Sequence, residues 1–338
     1  MIEPVRLGWL AMMLQVKGSV IPAVAPRVCF CLGIAGCIWL LNAVGIPIGI
    51  DISDGWIPAI LSVVNLVIGL LLVFRTNTAY ERFWEGRKLW GELINTARNF
   101  ARHLWVAIKE QVPEDRARKI KTLYLLVAYA NCVKLHLRFK RPNQELRGLV
   151  DGDQFSILKT LHNPPLQVAM WITDYLQQEY KRHHLNIYQL NAMNTQVDTM
   201  VSVLGGCERI LKTPIPAAYA IHLKQILFGY CLLLPMQLVD GMDWKMIPVV
   251  GLVSFILLGI EEIGVEIENP FGRDPNDLPL DAICATMLRN IEDLISLSSP
   301  AAMMQTQLTL TDDIANLGPD LQSTMGDEGL SPALLRDP

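Results

Sequence analysis

An all-α membrane protein is what this sequence predicts: four transmembrane helices and a helical region outside the bilayer. Three observations carry that prediction. The 338 residues are 51% hydrophobic and only 18% charged, against roughly 25% charged in soluble domains, and the mean hydropathy is +0.29. Two runs, 28–50 and 55–74, hold no charge and reach the roughly 20 residues a helix needs to cross the hydrocarbon core. Two shorter uncharged runs, 225–239 and 246–260, are separated only by DGMDWK. Taken alone, each short run reads equally as a buried soluble helix. Joined by so short a connection beside two clear spans, they read as a transmembrane hairpin; a two-span protein is the alternative.

The N-terminus does not resemble a cleaved signal. Glu3, Pro4 and Arg6 precede a short apolar run, 7–16, with no small-residue cleavage site after it. Orientation follows from Lys and Arg near the span ends. Lys17, Arg27, Arg75, Arg82, Arg87, Lys88, Arg209, Lys212 and Lys224 mark one side; 51–54 and 240–244 carry none, with Lys245 the exception. Both termini are therefore expected in the cytosol, with Trp56 and Trp244 in the outer aromatic belt. The segmentation is 1–27 cytosolic, 28–75 the first two spans, 76–223 a cytosolic helical region, 224–262 the last two spans, 263–299 a cytosolic segment with one helix, and 300–338 a mostly disordered, acidic tail.

The cytosolic part is helical by pattern. No proline occurs from Ala59 to Val112, and Leu89, Leu93, Ala97, Phe100 and Leu104 recur on one helix face. Just past the second span, Arg82, Glu85 and Lys88 are spaced to pair along the helix. Further helices are expected at Thr122–Phe139, at Leu166–Tyr180, and at Ile187–Leu211 before the Thr213-Pro-Ile-Pro break. The last, Leu278–Leu297, is expected to open with Asp277 as its N-cap.

Several function classes are excluded or weak. A net charge of −4 shows no nucleic-acid bias. Neither HExxH, GxSxG nor a phosphate-binding glycine loop occurs. Seven cysteines without a CxxC read as small buried hydrophobes. Glu261-Glu262 resembles the paired glutamates of CAAX-type membrane proteases, but the run continues EEIGVE and lacks their arginine. A paired helix end, or a cation-attracting ring at a pore mouth, are the other readings of these two residues.

In the second span, Ser62 and Asn65 are the only polar side chains between Pro58 and Phe74. Leu66, Leu70 and Phe74 sit at i, i+4 and i+8, so they share one face. That face is either a lipid or packing surface, or an apolar constriction that dewets and gates. Four such spans cannot line an aqueous pore alone; several copies around an axis could. In EIENPFGRDPNDLPLDAI, 266–283, the side chains of Glu266, Asn269, Asp274 and Asp277 bring oxygens of the kind a hard cation takes. A solvated turn is the plain alternative.

FRTNTAYERFWEGRKLWG at 74–91 resembles the bestrophin signature, an Arg-x-Asn-x-x-Tyr-x-Arg-Trp-Trp-Glu run after the second span. Asn269-Pro270-Phe271-Gly272 and the acids after it resemble the family's other hallmark. KGSVIP at 17–22 and GCERILKTPIP at 206–216 resemble its prokaryotic branch. The resemblance implies a homopentameric channel, four spans per subunit, with the second helix lining the pore. Counting back from 82–84, the family's neck falls on Leu66, Leu70 and Phe74, where the two leucines replace bulkier or β-branched residues. A second, cytosolic constriction is expected within 187–193, assigned to Leu190. Calcium is the one cofactor implied, at Glu266, Asn269, Asp274 and Asp277, although Arg273, Pro275 and Asn276 interrupt the acidic run of the eukaryotic members.

The function so implied is passive conduction of chloride and other small monovalent anions, since weakly hydrated anions lose least in an apolar neck. Glu261, Glu262 and Glu266 argue the other way if they face the pore, so a sodium or potassium channel of the same fold is the first alternative. A non-conducting structural or regulatory protein is the second. The partners expected are further copies of the chain, the conducted ions and the bilayer of a prokaryotic inner membrane.

Overall fold

The structure, a computed structural model, describes residues 15–16, 18–46, 48–49 and 56–297. The expectations for the first residues, for the outer loop at 51–54 and for the tail from 300 fall outside them. Regular structure among the described residues is helical, apart from one isolated bridge between Arg147 and Val150. In chain order the helices are α1 (Ile21–Ala43), α2 (Trp56–Ala107), α3 (Pro113–Leu137), α4 (Gly152–Thr160), α5 (Pro164–Lys181), α6 (Ile187–Lys212), α7 (Ala217–Met242), α8 (Met246–Glu268) and α9 (Leu280–Leu297).

The first helix starts upstream of the uncharged run that predicts it. Proline in its first turn supplies a preset φ, and the Ser19 hydroxyl accepts from Ile21 N–H at 3.2 Å. Arg27 therefore lies inside α1. A boundary drawn at a charge fails here because Arg27 has its own carboxylate, Glu262, at 2.7 Å. The helix ends at Ala43, with Gly45 at φ +86. Gly45 N–H bonds Asn42 O, and Ile46 N–H bonds Leu41 O, a Schellman closure that favours glycine.

The second helix has 52 residues, which is about 78 Å at 1.5 Å per residue. It is far longer than a membrane is thick, and nothing breaks it where charge begins. The hydroxyls of Thr76 and Thr78 close onto the Leu72 and Phe74 carbonyls, each at 2.9 Å. Helices α7 and α8 form one long apolar stretch, folded back by a 3-10 turn at Asp243–Lys245. Trp39 of α1 pins that turn by donating to Asp243 Oδ1 at 2.7 Å. Thus α1, the first half of α2, α7 and α8 make a layer of four membrane-crossing helices. Its core includes Val24, Ile68, Leu72, Leu223, Leu227 and Leu258.

The second layer is a helical bundle beyond the membrane-crossing helices. The face of α2 expected from its periodicity is buried: Leu93, Ala97, Phe100 and Leu104 are at most 1% exposed, with Trp90 beside them. Helix α3 is buried nearly all round from Leu125 to Leu135, which makes it the centre of the bundle. It begins at Pro113, well before the expected Thr122. The Asp115 carboxylate accepts from the N–H groups of Gln111 and Val112 and so opens the helix from a charged stretch. Helices α5 and α6 match their expected spans closely, whereas the short α4 was not foreseen.

Asp277 does not cap the last helix. That helix begins at Leu280, and the Asp277 carboxylate instead accepts from the Asp274 N–H at 2.7 Å. The preceding segment is docked hard: Phe271 is fully buried against the bundle core. Gly86 of α2 makes room for it, since a Cβ there would lie 2.9 Å from Pro270 Cγ and 3.2 Å from the Phe271 ring. Phe271→Ala is expected to lower stability by about 3–5 kcal/mol, read as a fall in melting temperature of the protein in detergent. Gly86→Val should also lower it, by wedging the same contact open.

Candidate ion-conduction site

The membrane half of α2 has two unlike faces. Ile68, Leu72 and Arg75 are 2%, 4% and 3% exposed and turn into the subunit. Leu66, Leu70 and Phe74 are 64%, 49% and 61% exposed, and they form a continuous apolar stripe with no cover from the same chain. The stripe ends one residue before the first charge of the helix.

Below it lies a lock built on Glu268, the last residue of α8. Its Oε2 takes Arg75 Nη2 at 2.8 Å, and its Oε1 takes Ile215 N–H at 2.9 Å. Its carbonyl accepts from Arg82 Nε at 3.2 Å. The other two nitrogens of Arg82 donate to the carbonyls of Thr213 and Ile210, at the end of α6. Arg82 is thus spent on backbone oxygens and does not pair with Glu85. Glu85 pairs with Arg209 instead, and Lys88 stands over the Trp84 ring. Tertiary partners outcompete the i, i+3 spacing, because exposed pairs of that kind are worth only about 0.2–0.5 kcal/mol.

Glu261 and Glu262 are paired within the subunit, about two turns before the end of α8. Glu261 is 2% exposed and faces Arg27 and Lys224 at 3.8 and 3.7 Å, while Glu262 meets Arg27 at 2.7 Å. A carboxylate buried inside the subunit cannot form an exposed ring at a pore mouth.

Leu190 also needs correction. It is 4% exposed and sits in the bundle core, because it occupies the inward side of the first turn of α6. The exposed apolar side chains of that turn are Ile187, at 44%, and Tyr188, at 82%. The loop before them is held by a group that sequence reasoning missed. Asp115 and Glu179, both 1% exposed, share Arg118 and Arg182 at 2.7–3.3 Å, and His184 Nδ1 meets Glu179 Oε2 at 2.6 Å. No local spacing could have joined α3 to the far end of α5.

The four residues expected to hold calcium fall into separate hydrogen-bonded pairs. Asp277 takes the Asp274 N–H, and Asn269 Oδ1 takes the Phe271 N–H at 3.4 Å. Glu266 is bound by the Asn276 amide at 3.0 Å, and that amide also donates to the Gly18 carbonyl at 3.1 Å. An uncharged donor thus occupies the Glu266 carboxylate, one of the four expected ligands. Among the described residues, no three Asp, Glu, His or Cys side chains converge for a metal. This donor set does not fit calcium.

Helices in this order are matched by known proteins. The sequence profile of the family described as Bacterial/Fungal Bestrophin protein covers residues 1–293. The chain belongs to the bestrophin family. It is 53% identical to the voltage-dependent anion channel-forming protein sll1024 of Synechocystis over 86% of this chain and 92% of that one. It is 54% identical to the similarly named alr2987 of Nostoc, with the same coverage. A solved bacterial bestrophin homolog from Klebsiella pneumoniae superposes with a TM-score of 0.73 at 28% identity, over 80% of this chain and 98% of that one. The membrane-protease reading of Glu261-Glu262 ends here: this bestrophin is an integral membrane protein and not an enzyme.

Two acids in the docked segment titrate in opposite senses. Burial, and then the charges of Asp274 and Glu266, push the Asp277 carboxyl up to about 6. Partial burial also acts on Asp281, but its hydrogen bonds to Lys134 and Arg138 outweigh it and hold that carboxyl down to about 2. A raised carboxyl favours the folded state below its unfolded value and loses that contribution as pH rises through the folded one. The melting temperature of this bestrophin is therefore expected to fall between pH 4 and pH 7 by an amount that Asp277→Asn removes. An Asp277→Asn profile with an undiminished slope would place the effect elsewhere. Calcium titration at pH 7 is expected to leave the melting temperature unchanged.

Proposed function

We propose that several copies of this bestrophin, five by family resemblance, surround an axis and conduct chloride and other small monovalent anions passively down their gradient. The observation that carries this reading is the apolar stripe of Leu66, Leu70 and Phe74, exposed on a helix whose opposite face is buried. Brought together around an axis, the stripes form a neck that strips an ion of part of its water. Such a constriction wets and conducts, or dewets and closes. The relatives named as anion channel-forming proteins support the anionic choice. So does the withdrawal of Glu261 and Glu262 into ion pairs within the subunit.

The cytosolic constriction belongs to Ile187 and Tyr188, the exposed edge of α6. The distribution of Lys and Arg supports a cytosolic side for both termini and the bundle, and the bacterial relatives support a prokaryotic inner membrane. Gating proceeds without calcium, in keeping with the amide that links Glu266 to Gly18.

One observation favours the cation alternative. Glu81 and Glu92 are exposed on the continuation of the stripe, with no ion-pair partner among the described residues, and Lys88 is the cation between them. Reversal potentials of the purified protein in planar bilayers under a KCl gradient decide between the two. A value near the chloride potential is expected; a value near the potassium potential overturns the anion reading. Leu70→Ala combined with Phe74→Ala is expected to raise single-channel conductance several-fold by widening the neck. Unchanged flux would count for a protein that does not conduct along this stripe.

A further inference from the structure

At the inner end of the membrane half of α2, Arg75 is 3% exposed, yet its Nε and Nη1 meet no hydrogen-bond partner. Buried donors are almost always satisfied, so two open donors on one guanidinium mark a missing acceptor. Its remaining nitrogen is the one held by Glu268.

The charge around this point does not cancel. Arg82 follows two turns along the same face of α2 and binds only carbonyl oxygens. Two guanidiniums therefore face one carboxylate, that of Glu268. Of the acids nearby, Glu261 and Glu262 are engaged by Arg27 and Lys224 and Glu85 by Arg209, while Glu81 is exposed on the stripe side of α2. The start of α7 adds to the imbalance. That helix opens just after Ile215, whose N–H is already on Glu268, and its first turn presents the positive end of a 26-residue helix. Gly264 of α8 lets the stem of Arg75 lie directly against that helix, since a Cβ there would stand 3.2 Å from Arg75 Cγ. Tyr219 closes the other side, with its hydroxyl donating to the Leu71 carbonyl at 2.6 Å.

We propose that this point, between α2, α7 and α8 and off the conduction path, binds a single halide on the open donors of Arg75. A monatomic anion is the class that so sealed a site admits. Bound there, it balances the second guanidinium and fixes the end of the neck helix one residue below Phe74. Chloride then acts on the protein as a structural ligand, whichever ion crosses the neck.

Crystals of the full chain grown or soaked in bromide test this directly. The expected result is an anomalous peak within hydrogen-bond distance of Arg75 Nε or Nη1. Density there without anomalous signal, a water only, overturns the proposal. In detergent, the melting temperature is expected to be higher in chloride or bromide than in gluconate at equal ionic strength, and Arg75→Gln should abolish that difference. An Arg75→Gln protein that keeps it overturns the proposal as well. Should that variant fail to fold, the bromide map of the native protein still decides. Neither readout depends on ion selectivity, so failure here is distinct from failure of the anion-channel reading.

Discussion

The whole subunit hangs on how one helix is held where it leaves the membrane. Helix α2 passes from the membrane layer to the bundle without a break, so no loop absorbs a misalignment between the two layers. Its depth and rotation must be set by side chains, and Glu268 sets them. One residue receives Arg75 and Ile215 on its carboxylate and Arg82 on its carbonyl. It thereby joins the pore-side helix, the end of α6 and the last membrane helix. Removing one partner of a buried pair leaves the other charge stranded, which typically costs about 3–5 kcal/mol. Phe74 precedes Arg75, and Asn269 follows Glu268. The inner end of the apolar stripe and the start of the docked Asn-Pro-Phe-Gly segment are therefore positioned by the same contact.

The two layers use that fixed point differently. In the bundle, α2 is packed from Trp90 to Leu104 against α3 and α6, and the Asp115–Glu179 group and its arginines tie the ends of α3 and α5. In the membrane, α2 packs on one side only. Leu66, Leu70 and Phe74 stay exposed because nothing in the same chain reaches them. Lipid can cover such a face, but lipid does not explain why it continues in register into Glu81, Lys88 and Glu92. A single helix face that is apolar and then charged suits a water-filled axis that narrows at its upper part.

Much of this was legible in the sequence because it depends on periodicity. The four spans, the buried face of Leu93, Ala97, Phe100 and Leu104, and the shared face of Leu66, Leu70 and Phe74 follow from residue spacing on a helix. What sequence could not reach depends on partners distant in the chain. Arg27 looks like a boundary until Glu262 stands beside it. Arg82 looks like a partner of Glu85 until the carbonyls at the end of α6 arrive. Leu190 is apolar and in the right window, but one step of rotation separates a core position from the exposed edge at Ile187 and Tyr188. The docked segment was recognised by its letters, but the hydrogen bonds that hold it join residues distant in the chain. Composition counts the oxygens of Glu266, Asn269, Asp274 and Asp277, but it cannot see the Asn276 amide that ties Glu266 to the Gly18 carbonyl.

That amide changes how the segment is stabilised. A cation there would neutralise Glu266, Asp274 and Asp277 together. The Asn276 side chain satisfies hydrogen bonds but brings no charge, so the charges of Asp274 and Glu266 add to the burial that raises the Asp277 carboxyl. The segment is held instead from behind. Arg138 donates to the Phe271 carbonyl and to Asp281, and Lys134 binds Asp281 and Glu145. Its anchor is thus permanent positive charge on α3 rather than an exchangeable ion. A strap fastened in this way is tied to both α3 and α2. The contact of Phe271 with Gly86 joins it to the helix that bears the neck.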